Sequence, residues 1–159
     1  MSSTQSAKVQ ALKDRRSAPN SSDVDTSVTL QSLLDKNQPG DWAETKAAVI
    51  EGYVQRTAKK MDGDYHIVIA NAANESDRNK EMIVEVTQYW QSAVRDFSED
   101  KLLQLSGKRV RVTGWLFFDP NEEHQRGTRW ELHPVTDIRL AGWRSFGLPP
   151  STGNIHSPL

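Results

Sequence analysis

The chain has 159 residues, of which 26% are charged and 36% hydrophobic, so we expect one soluble domain whose core is thin for this length. Its net charge of -1 argues against strong non-specific binding to nucleic acid, although local basic patches stay open. The chain has no cysteine, no apolar run long enough for a membrane span and no signal-peptide core in residues 1–30, so we expect a cytoplasmic protein without disulfides or cysteine-based zinc sites.

The first part of the chain is predicted to be a flexible arm. Residues 1–26 contain many small polar residues and no aromatic residue, a composition that cannot bury enough apolar surface to fold by itself. A short helix follows, because apolar residues recur at helical spacing before the Pro39-Gly40 turn: Val28, Leu30, Leu33 and Leu34. We therefore assign residues 1–41 to an N-terminal arm with one short helix.

Three strands are predicted next, over residues 45–56, 64–71 and 82–87. Each alternates apolar and polar residues with a period of two, which is typical of a half-buried strand. Asp62-Gly63 lies between the first two strands and favours a hairpin turn. The inward faces of the second and third strands are predicted to carry Tyr65, Ile67, Ile69, Met82, Val84 and Val86.

The pattern then changes to a helix over residues 88–105 and returns to two strands. The fourth strand, residues 107–118, has two predicted faces: Val110, Val112, Gly114, Leu116 and Phe118 inward, and Arg109, Arg111, Thr113, Trp115 and Phe117 outward. Gly114 indicates a bend, as small closed barrels need. The fifth strand, residues 128–140, contains Pro134, which predicts a bulge or a sheet edge.

The predicted order β-β-β-α-β-β defines a mostly β fold that resembles the OB-fold, a five-stranded Greek-key barrel with one helix between strands three and four. Residues 62–68, 107–115 and 130–136 also resemble an uncharacterised group of bacterial OB-like proteins, a likeness that implies no particular activity. We place the barrel at residues 42–146, with Trp143 and Phe146 folding back on it. Residues 147–159 form a predicted C-terminal tail.

Asp62-Gly63-Asp64 is similar to a motif of staphylococcal-nuclease-like OB-folds, in which the second aspartate binds calcium. Asp64 matches that position. The remaining nuclease motifs are missing, because Tyr65 follows Asp64 and residues 70–75 replace the second acidic segment. We interpret Asp62-Gly63 as turn chemistry.

Three histidines are possible metal ligands: His66, His124 and His133, with Asp119, Glu122, Glu123 and Glu131 as possible co-ligands. Alternation along a strand puts Glu131 and His133 on one face, and Asp64 and His66 on another. Nothing in the spacing forces these two pairs together. We therefore expect no bound metal and no cofactor, and keep Asp64, His66, Glu131 and His133 as the candidate set if a metal is present.

A binding surface is the other chemical possibility, since aromatic rings stack on bases and guanidinium groups hold phosphates. The candidate binding residues are Tyr53, Arg56, Lys59, Lys60, Arg109, Arg111, Trp115 and Arg129. The alternative interpretation of the charged ones is a solvated strand face.

The sequence contains no nucleophile or phosphate-loop motif, which favours a non-catalytic binding module over an enzyme. The first hypothesis for its ligand is single-stranded nucleic acid or another anion. The second is a protein-interaction module that uses a strand edge or the tails. The third is a metal-dependent hydrolase built on the candidate metal set. The sequence leaves the oligomeric state open.

Overall fold

The structure is a computed structural model, and it describes residues 2–121 and 126–141. It has five strands: β1 Ala47–Lys59, β2 Tyr65–Ala70, β3 Glu81–Val86, β4 Arg109–Phe118 and β5 Trp130–Leu140. It has four α-helices: α1 Ser3–Lys13, α2 Leu30–Asp35, α3 Gln88–Ala93 and α4 Glu99–Leu103. Single 3-10 turns lie at Ser21–Asp23, Arg78–Lys80 and Arg95–Phe97. Within the described ranges, no helix has the length and apolar character needed to cross a bilayer.

The five strands form a closed barrel in the order β1-β2-β3-β5-β4. All neighbours pair antiparallel except β3 and β5, which run parallel through the Val84–Leu132 pair. Helices α3 and α4 connect β3 to β4. This topology confirms the predicted OB-like barrel with a helical segment between strands three and four.

The barrel interior is filled by the residues that the period-two patterns place inward. Tyr65, Ile67 and Ile69 of β2 meet Met82, Val84 and Val86 of β3 in one buried cluster. Strand β4 adds its own inward residues Val110, Val112, Leu116 and Phe118. The predicted inward faces of these three strands are therefore confirmed.

Gly114 and Pro134 mark an irregular stretch where β4 meets β5. The register shifts on both sides of Gly114. An ideal Cβ atom at Gly114 would lie 2.9 Å from both the Leu132 Cβ and the Pro134 carbonyl oxygen, so only glycine lets the strands approach this closely. The predicted bend at Gly114 and bulge at Pro134 are the same feature.

The N-terminal arm differs most from its sequence-based expectation, since it packs on the barrel. The Arg15 guanidinium donates to the carbonyl oxygens of Glu44, Leu116 and His133 at 2.6, 3.1 and 3.1 Å. Trp115 donates from Nε1 to the Ser17 carbonyl at 2.8 Å. The arm thus makes specific contacts that link three separate parts of the barrel, which composition alone does not reveal.

These contacts also correct the predicted outer face of β4. Trp115 and Phe117 point outward as expected, yet they are 8% and 1% exposed. Arg15 lies 5.1 Å above the Trp115 ring, and Lys13 lies 6.0 Å above the Phe117 ring. The arm therefore covers the outer side of the C-terminal end of β4, around Trp115 and Phe117.

Several predicted features lie outside the described residues. They are the candidate ligands Glu122, Glu123 and His124, the aromatic residues Trp143 and Phe146, and the tail of residues 147–159.

Candidate functional site

A cluster of ionisable side chains lies on the outer face of β2, β3 and β5. We call it the acid–histidine cluster; its members are Asp64, His66, Glu85, Glu131 and His133. His66 and Glu85 are direct partners in the β2–β3 register. Strand β5 lies beside β3, and its alternation turns Glu131 and His133 to the same outer side because Leu132 faces the core. Closing the barrel therefore brings together residues that are far apart in sequence.

The cluster is held by hydrogen bonds around the His133 imidazole. Its Nδ1 atom lies 3.1 Å from Glu85 Oε2 and 3.3 Å from Glu131 Oε2. On the other side, Glu85 Oε2 lies 3.0 Å from His66 Nε2. The side chains of His133, Glu85 and Glu131 are at most 4% exposed. His133 Nε2 is also buried, and it has no hydrogen-bond partner among the described residues.

Burial and charge act in opposite directions on these groups. Burial alone would lower the pKa of His133, but the Glu131 and Glu85 carboxylates outweigh it and raise that pKa to about 9. Burial would raise the pKa of Glu85, yet the hydrogen bonds of His133 and His66 hold it well below its usual range. Burial raises the pKa of Glu131, with His133 offsetting part of the effect. At neutral pH the centre of the cluster is therefore an imidazolium between carboxyl groups.

Asp64 connects this cluster to solvent. It precedes β2, is half-buried, and accepts a hydrogen bond on Oδ1 from the Gln88 backbone N–H at 3.0 Å. Burial and the nearby Asp62 charge raise the pKa of Asp64 to about 6. Asp64, Glu85 and His133 each offer one potential ligand atom, and these atoms lie within 4.8 Å of one another. This spacing is suitable for binding one cation.

A cavity of about 380 Å³ opens beside two of these residues, Asp64 and His133. The β1–β2 hairpin and the start of α3 form one wall, and the arm forms the other. The residues that line it include Asp62, Asp64 and His133, together with Lys13 and Arg16 of the arm. We call it the arm cleft. It joins carboxylate and basic groups in one space, so a cation and an anion could be accommodated together.

The predicted binding residues are divided among several places. Tyr53 and Arg109 are direct partners in the β1–β4 register, and Arg111 follows on the same face. The β4–β5 register puts Arg139 directly opposite Arg111. We call the surface formed by Tyr53, Arg109, Arg111 and Arg139 the basic face. Sequence reasoning missed Arg139.

The other predicted binding residues lie elsewhere. Lys59 and Lys60 are in the β1–β2 hairpin, six residues or more beyond Tyr53, which is about 20 Å along an extended strand. Arg129 lies at the opposite end of β4, with its guanidinium 4.7 Å above the Phe118 ring. Arg56 forms a two-pronged ion pair with buried Glu81 at 2.8 and 2.9 Å. Trp115 is covered by the arm, so its predicted role as an exposed stacking surface is corrected.

Of the four candidate metal ligands predicted from sequence, the structure brings all into one cluster and adds Glu85. Glu85 had a usable signal, because alternation puts it on the outer face of strand three, as His66 is on strand two. The role of Arg15 had no sequence signal, because nothing in a polar arm shows which basic residue will be buried.

Comparison with known proteins gave structural matches only: no family model and no curated protein matches the chain. An asparaginyl-tRNA synthetase of Entamoeba histolytica, solved with asparaginyl-adenylate, matches over 73% of this chain with 12% identity and a TM-score of 0.41. A putative aspartyl-tRNA synthetase of Leishmania major Friedlin matches over 87% of this chain with 16% identity and a TM-score of 0.44. The match covers 26% of each synthetase, so the chain spans about a quarter of their length.

The fold class therefore rests on the barrel itself. Its closed order β1-β2-β3-β5-β4, with helices between β3 and β4, is that of an OB-like protein. This barrel carries two candidate sites, the acid–histidine cluster and the basic face.

Proposed function

We propose that this protein is a non-catalytic binding module that takes an anionic ligand, with single-stranded nucleic acid as the first candidate, on the basic face. The carrying observation is the direct pairing of Arg111 with Arg139 across β4 and β5. Like charges placed directly opposite each other destabilise a sheet. Glu51, directly opposite Arg111 on β1, and Asp137, bonded to Arg139, offset part of this repulsion, and a bound anion would relieve the rest.

Neighbouring contacts support the proposal. Arg109 is paired with Glu51 at 2.8 Å, and Arg139 with Asp137 at 3.0 Å. Arg111 is exposed and has no ion-pair partner within the described ranges. Tyr53 is half-buried beside Arg109 and offers a ring for stacking. One face thus combines a free guanidinium with an aromatic side chain.

The test is fluorescence anisotropy of labelled oligodeoxythymidine titrated with the full chain at low and at physiological salt. Few phosphates can be neutralised here, so we expect weak binding, with Kd on the order of 10⁻⁴–10⁻⁶ M, that fades as salt rises. Arg111→Gln should weaken binding about tenfold or more, because hydrogen bonds to charged groups contribute about 1.5–3 kcal/mol. Tyr53→Leu should weaken it if a base stacks there.

The matched control is Lys80→Gln, which removes one positive charge at an exposed position before β3, away from the basic face. Equal loss in Lys80→Gln and Arg111→Gln would show that binding follows net charge and would contradict the proposal. No binding by the unchanged protein at low salt would leave the protein-interaction alternative. Cleavage of the oligonucleotide would instead favour the hydrolase alternative.

A further inference from the structure

We propose that Asp64, Glu85 and His133 bind one divalent transition-metal cation at the inner end of the arm cleft. This site lies on β2, β3 and β5, whereas the basic face lies on β1, β4 and β5, so the proposal is independent of the proposed function. Three side chains with ligand atoms within 4.8 Å of one another are its geometric basis. They provide two carboxylates and one imidazole, a set that suits cations such as Zn²⁺ and Mn²⁺.

A second observation points to a ligand at this place. His133 lines the cleft, is fully buried, and its Nε2 atom has no hydrogen-bond partner among the described residues. A buried polar atom without a partner costs free energy. Coordination through Nε2, with release of the proton from that atom, would remove that cost while Nδ1 keeps its hydrogen bond to Glu131 and the Glu85 carboxylate turns from Nδ1 to the cation.

The surroundings already have the form of a supporting shell. Metal-bound histidines commonly donate their other ring N–H to a carboxylate, which fixes the ring and raises its basicity. In this chain Glu131 accepts from His133 Nδ1 at 3.3 Å, and His66 holds Glu85 at 3.0 Å. Glu131 and His66 would therefore be positioning residues for the ligands.

Charge also favours a cation. Asp64, Glu85 and Glu131 bring three carboxyl groups close to the His133 imidazole, and His66 contacts only Glu85 among them. Burial makes this crowding expensive, and a divalent ion would balance it better than a single proton does. The cleft leaves one side of the site open, so water or an anion held by Lys13 and Arg16 could complete the coordination.

The experiment is calorimetric titration of the chelator-stripped full chain with Zn²⁺ and separately with Mn²⁺, with circular dichroism to check folding. We expect one cation per chain. Asp64→Asn keeps the size and the Oδ1 acceptor of a half-buried side chain, and should weaken the affinity at least tenfold. Glu131→Gln should weaken it about 10–100-fold, as loss of a partner behind a ligand does.

The control is Asp62→Asn, which removes a charge from the wall of the same cleft but not from the ligand set. It should stay within a few-fold of the unchanged protein. An equal loss of cation affinity in Asp62→Asn and Asp64→Asn would show that binding follows only the negative charge of the cleft, and it would overturn the proposal. Absence of stoichiometric binding of both cations by the folded, unchanged protein would overturn it as well.

Discussion

Titration of His133 should control the stability of the metal-free barrel in mildly alkaline solution. The Glu131 and Glu85 carboxylates overcome the effect of burial and raise the pKa of His133 from 6.5 to about 9. Each pH unit between the unfolded and folded pKa is worth about 1.4 kcal/mol. The imidazolium therefore contributes about 3 kcal/mol to the free energy of unfolding.

The sign follows from linkage. Because the folded pKa lies above the unfolded value, this contribution is fully present below pH 6.5 and is lost as the pH rises through about 9. Asp64 titrates lower, with its pKa raised to about 6, and burial lowers the pKa of Arg15 only to about 10. The window from pH 6.5 to 9 therefore reports mainly on His133.

Denaturant unfolding in the presence of a chelator, at a series of pH values across this window, measures the effect. The His133→Gln variant is the reference and should show a much flatter profile. An NMR titration of the His133 ring gives the pKa directly. A midpoint at or below 6.5, or equal slopes for the two proteins, would refute the assignment of an imidazolium between carboxylates.

Three further outcomes are expected. Leu116→Ala removes a fully buried side chain and should lower the free energy of unfolding by about 2–5 kcal/mol, whereas Arg111→Ala, at an exposed position opposite Arg139, should change it by less than about 0.5 kcal/mol in either direction; a larger loss in Arg111→Ala than in Leu116→Ala would mean that β4 faces the other way. Gly114→Ala brings a Cβ to 2.9 Å from the Pro134 carbonyl oxygen and should cost about 1–3 kcal/mol in the same assay, with a neutral result contradicting the close approach. Arg15→Ala should speed amide hydrogen exchange in residues 2–20 while the barrel stays protected, and unchanged exchange there would mean that Arg15 does not hold the arm.

Much of the barrel could be predicted because its strands bury one face. Alternation of the kind seen from Val110 to Phe118 states which side chains face the core, and Asp62-Gly63 marks the first hairpin. Gly114 and Pro134 interrupt the strand patterns, and this indicated the irregular stretch where β4 pairs with β5. These are local signals, so one sequence was enough to read them.

The candidate site depends on contacts between distant segments, and local patterns do not contain them. His66 and His133 meet through Glu85 only because β5 pairs with β3, a neighbour that is not adjacent in sequence. The same holds for Trp115, which looked like an exposed ring on a basic strand. Its cover comes from Arg15, about 100 residues earlier, in a segment whose polarity predicted no packing.

The contacts that attach the arm to the barrel involve tryptophans, so tryptophan fluorescence depends on whether the arm is docked. The indole N–H group of Trp90 donates to the Arg15 carbonyl oxygen at 3.0 Å, and that of Trp115 donates to the Ser17 carbonyl oxygen at 2.8 Å. Two tryptophans therefore bind the arm on either side of Arg16. Undocking the arm would hydrate the Trp115 ring, shift its emission to longer wavelength and open it to iodide quenching. The chain has five tryptophans, so the part of the fluorescence change that a Trp115→Phe variant loses follows docking of the arm while ligands are added.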